Sequence, residues 1–310
     1  MRLVNEQNDN QTNLEPVGFL SLLFYSLLCG LGFSSFLMSP FAVILVHRRL
    51  PDFWPKVVSI AGAVLALVVL EVPLPIVVFS FVLSVFVADN VHRQVPVWSL
   101  IFRTAVLVSF LGLLGLGIAS RSFHLSDLVS VWTQFVDQVV KQAQESQLLI
   151  PEWDISTVRR LLFYQGPFYF VSGCLLSVWF SIGLAAHLKR QPEADLYSSQ
   201  NLRTLRLPRA FILVALLLWL GNAASRAGAQ TWLPGLSHVF LVVLSMQGTI
   251  SLSIFMAQRG WKNGLRALVY IGFLLVGFYA LVGLGLVAPF VFNKKKSLME
   301  CQTKPLEEAV

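Results

Sequence analysis

The chain has 310 residues, of which 56% are hydrophobic and only 13% charged, with a formal net charge of +7. So apolar a sequence excludes a soluble globule of this length. The positive excess sits in short loops between apolar runs, a membrane-protein pattern and not a nucleic-acid-binding one. The class that remains is an all-α, polytopic integral membrane protein.

Residues 1–16 form a polar tail. Arg2 is followed by polar Asn5 to Asn13, not by a short apolar stretch with a small-residue cleavage site, so no cleavable signal is expected. Segments 17–32 and 33–47 predict a tight pair of membrane helices, with Gly30 and Gly32 near the break. One kinked span is the alternative, because neither piece reaches the roughly 20 residues of a comfortable crossing. Arg48, Arg49 and Lys56 mark a cytoplasmic loop. Helices at 57–70 and 76–88 meet at Glu71-Val72-Pro73-Leu74-Pro75, where the prolines demand a sharp corner. His92 and Arg93 form a second basic loop, and 97–118 is the fifth helix. Its Gly112, Gly115 and Gly117 would let another helix approach closely. These five helices make a first membrane block, 17–118.

An amphipathic extramembrane connector, 119–165, interrupts the membrane pattern. From Leu125 to Val140 the apolar residues recur every three or four positions, one face of a surface helix between membrane helices five and six. Ser126 is the expected N-cap, with Asp127 in the first turn, and Asp137 is placed to pair with Lys141 on the polar face. After Pro151, Asp154 caps a shorter helix that Gly166-Pro167 is expected to end. The connector is either a lid over the mouth of a membrane cavity or an interfacial element anchored by Trp132 and Trp153. A second block of four helices, 166–292, then follows as 168–188, 210–225, 236–257 and 267–292, with a polar tail at 293–310. With the N-terminus inside and nine crossings, inside loops hold twelve Lys and Arg against five in the outside loops. That bias supports the topology. The tail would then lie outside, unless Gly283 and Gly285 break the last segment into a hairpin.

No metalloprotease, nucleophile-elbow or phosphate-loop signature occurs, so no enzyme activity, cofactor or metal is expected. Cys29, Cys174 and Cys301 are far apart and make no disulfide framework. His47, His92, His124, His187 and His238 fall near predicted helix ends and read as interfacial residues. Ionisable groups near the apolar layer are expensive and mark pairs or pathways. Asp89, at the end of the fourth helix, and Arg103, in the fifth, share a predicted membrane level, so they form a candidate pair; Arg103 alternatively snorkels to headgroups. Asn222 and Gln247 are the polar candidates inside apolar helices, suited to bonding a neighbouring helix.

Several pieces resemble the YybS-type membrane proteins, a bacterial family of unknown function. They are Ser39-Pro40-Phe41-Ala42-Val43 before a basic loop, the amphipathic interval before Gly166-Pro167, His187-Leu188-Lys189-Arg190, Leu207-Pro208-Arg209 and Met246-Gln247-Gly248. The end of the last helix, Leu284 to Ala288, fits too, although the family typically carries an acid where this chain has Ala288. The first six helices are similar in layout to substrate-binding components of energy-coupling-factor vitamin transporters and to the rod-shape protein MreD. The resemblance implies the bacterial cytoplasmic (inner) membrane. It leaves two roles open: a solute-binding transporter component without its own ATPase, its solute unknown, or a non-transporting scaffold for envelope or division proteins. The expected partners are the lipid bilayer and, for the scaffold, other membrane or envelope proteins, with no nucleic acid.

Overall fold

The computed structural model describes residues 18–35, 38–51, 53–146, 154–187, 197, 202, 205–224, 231–261, 263–275 and 277–291. The predicted cap region at Pro151 and Trp153, both tails, and most of the 188–204 linker fall outside these residues. The described residues are helical, with no strand among them. Among the described residues four helices are long and apolar enough to cross a membrane, and four shorter apolar ones accompany them. The chain is therefore a membrane protein by length and composition of its helices. It forms two compact units, 1–93 and 94–310.

The first unit contains α1 (Phe19–Ser34), α2 (Ser39–Arg49), α3 (Trp54–Val68) and α4 (Leu74–His92). Segment 17–47 thus yields two helices. At 11 residues α2 is only about 16 Å long, half a hydrocarbon layer. Packing is interleaved: α1 lies against α3, and α2 against α4. Gly30 and Gly62 make the α1–α3 crossing possible. A Cβ on Gly62 would stand 2.5 Å from the Cys29 Cβ and 3.0 Å from the Gly30 nitrogen. Because Gly62 faces Ser26 to Gly30 while Gly30 faces Leu65, the two helices run in the same direction. Cys29, Phe33, Val43, Ala66, Leu83 and Val87 fill the interior. The buried Ser59 and Ser84 donate their hydroxyls to carbonyls of their own helices, at Pro55 (2.7 Å) and Ser80 (2.6 Å). A groove of about 220 Å³ runs between the N-terminal halves of α1 and α3, lined by apolar residues such as Phe19, Leu22, Trp54 and Val57, with Ser26 the sole hydroxyl. After α3 the chain turns at Glu71, in the left-handed region at φ 51°, the sharp corner expected before Pro73 and Pro75.

The second unit contains α5 (Val97–Ser120), α6 (Leu125–Glu145), α7 (Ile155–His187), α8 (Arg209–Ala224), α9 (Leu233–Gln258), α10 (Asn263–Leu275) and α11 (Phe278–Val291). The central helix is α9, packed on α7, α8 and α11. Small residues again set the closest approach. A Cβ on Gly248 would overlap the Leu281 carbonyl oxygen, and one on Gly285 would overlap the Leu244 carbonyl oxygen. By contrast, Gly112 and Gly115 of α5 face open space, and Gly117 makes room only for the Phe123 ring. The glycines expected to admit a neighbouring helix are therefore not the ones that do so.

Two predicted boundaries are corrected. First, α7 is one continuous helix of 33 residues through Gly166-Pro167, about 50 Å long against a hydrocarbon layer of about 30 Å. Proline removes one helical donor and is a frequent but not obligatory stop. Second, the last apolar segment holds two helices, α10 ending at Leu275 and α11 beginning at Phe278, and Gly283 and Gly285 lie inside α11.

Candidate functional site

The polar groups of the second unit gather at two places. The first is the joint between α6 and α7. Pro167 has no N–H, so the carbonyl four residues back, that of Phe163, loses its helical donor. The indole Nε1–H of Trp132 on α6 donates to that carbonyl at 3.0 Å. The indole lies over Gly166, where even a Cβ would make only an ordinary contact at 3.5 Å. One and two turns on from Trp132, Val136 and Val140 are buried. On the flank of this seam, Arg159 of α7 takes Asp137 in a forked pair, Nε–Oδ1 2.6 Å and Nη2–Oδ2 2.8 Å. The expected Asp137–Lys141 pair is thus replaced. A carboxylate accepts a planar guanidinium fork better than a single ammonium, and Lys141 turns to Glu145 at 3.9 Å. Nor does Ser126 cap α6: the helix begins at Leu125, and the Ser126 hydroxyl goes to Asp127. Asp154 does cap α7, accepting the Ser156 N–H at 3.1 Å and the Thr157 hydroxyl at 3.0 Å. Bonds from Ser156 and then Thr157 hold its carboxyl below the usual carboxylate value.

The second place is a node on α9 around Met246-Gln247-Gly248-Thr249. Gln247 is fully buried. Its Oε1 accepts the Leu207 N–H at 3.1 Å, and its Nε2 donates to the Leu205 carbonyl at 3.3 Å. One amide thereby serves two backbone groups of the non-helical stretch that enters α8, backbone that apolar surroundings would otherwise penalise. Two residues on, the Thr249 hydroxyl accepts the Trp179 Nε1–H at 3.0 Å. Trp179 stacks on Trp98 of α5, ring centroids 6.1 Å apart and 7° from parallel. Beside α5, the fully buried Tyr197 donates its hydroxyl to the Val95 carbonyl. The 94–96 loop and the linker before α8 therefore meet at one end of the unit. The α6–α7 joint lies at the far end of α5 and α7, as alternation of crossings requires.

Of the residues singled out from sequence, Gln247 is at this node. Asn222 lies near the end of α8, and Arg103 on the exposed face of α5. Asp89, in the first unit, pairs with Arg93 four residues on, at 3.0 Å. Sequence reasoning passed over Trp179 and Tyr197, and took Trp132 only as an interfacial anchor. The signal for Trp132 was available: a proline inside a helical pattern creates an orphan carbonyl that some donor must meet. At both places side-chain groups hold backbone. Among the described residues no three His, Cys, Asp or Glu side chains converge on a metal-sized site.

No protein-family model, curated protein or solved structure matches this chain.

Proposed function

We propose that the protein is a non-catalytic scaffold of the bacterial cytoplasmic membrane, of YybS type, with nine crossings and its basic loops facing the cytoplasm for envelope or division proteins. The observation that carries this is the use of Gln247. The most buried candidate polar side chain spends both ends of its amide on the protein's own backbone at Leu205 and Leu207, leaving nothing for a solute. The packed interior of the first unit and its apolar α1–α3 groove support the same reading.

A second reading has its own observation. The α6 helix is fastened across the start of α7, where a cover would sit, and on α7 and α9 the buried hydroxyls of Ser172 and Ser237 have no hydrogen-bond partner among the described residues. A solute-binding component built this way would borrow ATPase subunits, since the chain carries no phosphate loop. Native mass spectrometry of the full chain in nanodiscs of its own membrane separates the two. The scaffold carries no stoichiometric water-soluble molecule, and photo-crosslinkers at Arg49 and Arg93 yield defined protein adducts in cells. A bound small molecule that Ser172→Ala and Ser237→Ala both displace would overturn the scaffold.

A further inference from the structure

Between Leu196 and Met299 the sequence contains no Asp or Glu, while Arg206, Arg209, Arg259 and Arg266 all fall there. Positive charge at this end of the second unit therefore has no carboxylate of its own stretch to meet. Arg259 and Arg266 flank the turn from α9 into α10. The Arg259 guanidinium lies over the Phe255 ring, 5.4 Å from its centroid, and Trp261 meets the same ring edge-on at 6.2 Å. Trp261, Val269 and Tyr270 pack on Leu252, Met256 and Leu281, which folds α10 back against the end of α9. Arg266 sits one turn before Tyr270 on that packed face, and its Nε is buried with no hydrogen-bond partner among the described residues. A buried guanidinium N–H without an acceptor is costly, and an oxyanion is the group that satisfies it best. The other side of α10 is apolar and open: Leu268 is 68% exposed and Leu265 49%.

We propose that the α9–α10 turn binds the headgroup of an anionic phospholipid, with Arg266 and Arg259 on the phosphate, Trp261 at the interface and Leu265 and Leu268 against the acyl chains. Cation, tryptophan and exposed leucine on one short turn fit a lipid in the bilayer and not a free phosphate, which would leave the leucines in water. An acidic protein segment would leave them equally uncovered. The site does not depend on the scaffold reading or on which face is cytoplasmic, because the ligand is supplied to both leaflets in the test.

The full chain is reconstituted in nanodiscs of phosphatidylcholine with increasing phosphatidylglycerol, and lipid retained after detergent release is counted by native mass spectrometry. Wild type keeps phosphatidylglycerol in preference to phosphatidylcholine. Arg266→Gln and Arg259→Gln each weaken that preference roughly fivefold, the value of one basic residue at a lipid surface, whereas Arg121→Gln leaves it unchanged. Inorganic phosphate at millimolar concentration does not compete. If a variant fails to fold, Arg266→Lys, which keeps the charge and loses the planar fork, still reports: it retains binding but with less selectivity for phosphatidylglycerol. Equal retention of both lipids by wild type, equal loss in Arg121→Gln, or competition by free phosphate would each overturn the proposal.

Discussion

Trp132→Phe isolates the joint between α6 and α7. The substitution keeps an aromatic ring over Gly166 and removes only the donor that serves the Phe163 carbonyl. A buried acceptor left without a partner costs about 1–3 kcal/mol. This one is part-buried, so the lower half of that range applies, and the loss of ring area from indole to phenyl adds about 0.5–1 kcal/mol at roughly 25 cal/mol per Å². The expected total is about 1.5–3 kcal/mol. Pro167→Ala provides the control, because alanine restores the N–H that Phe163 lacks. In the Pro167→Ala background, Trp132→Phe should cost about 1 kcal/mol less, a coupling energy within the usual range for neighbours that share a partner. Reversible unfolding of the full chain in mixed micelles gives the four free energies. Hydrogen exchange of α6 amides shows whether the helix has come loose. If the two substitutions are additive, the indole is not replacing the missing proline donor and the reasoning fails.

Gln247→Leu keeps the volume, strands the Leu207 N–H and leaves the Leu205 carbonyl only its bond from Arg206. Two such bonds in a membrane protein are worth about 1–3 kcal/mol together, and trypsin should cut the linker at Arg206 faster in the variant. Gln247→Glu retains both bonds only while protonated. Its stability should therefore fall as pH rises and the proton is lost; a pH-independent variant would contradict the geometry. Gly248→Ala and Gly285→Ala should each destabilise by about 1–3 kcal/mol through overpacking. Gly112→Ala and Gly115→Ala, which face open space, should gain up to about 1 kcal/mol of helix propensity, and unfolding titrations compare the four. Asp154 has a depressed pKa, so its capping contribution is present above the unfolded carboxylate value and is lost as pH falls through the still lower folded value. Exchange at the Ser156 and Thr157 amides should accelerate there, and Asp154→Ala should abolish that pH dependence.

Hydrophobic period and run length made the helices legible, because burial of apolar stripes depends on composition along each segment. Helix α8 and the body of α9 fall where the apolar runs place them, and of the amphipathic stripe of 125–140, Leu128, Trp132, Val136, Val139 and Val140 form the buried and half-buried seam of α6 while Leu125, Val129 and Phe135 stay exposed. Partners were less legible. Asp137 has a cation four residues on and another 22 residues on, and the choice rests on how α6 and α7 meet, which no local pattern encodes. Glycines show the same limit. Gly112, Gly115 and Gly117 form the denser cluster, yet Gly248 and Gly285 are the pair that lets two backbones touch, a property of crossing geometry and not of spacing. Pro167 was read as a stop because local donor loss disfavours a helix; a side chain from another helix supplies the donor instead. For Gln247 the sequence placed a polar group in an apolar helix and suggested a neighbouring helix as its partner, whereas the partner is the extended backbone just before α8.

The central claim is a polytopic membrane fold whose 93–96 loop and pre-α8 linker lie on one face and whose α6 lies on the other. Single cysteines at Arg93, Arg209, Arg121 and Gln134, introduced after Cys29, Cys174 and Cys301 are changed to Ala, test it in intact cells with a membrane-impermeant maleimide. The expected result is labelling of Arg121→Cys and Gln134→Cys from outside, with Arg93→Cys and Arg209→Cys labelled only after permeabilisation. Labelling of Arg209→Cys and Gln134→Cys from the same side would contradict the account.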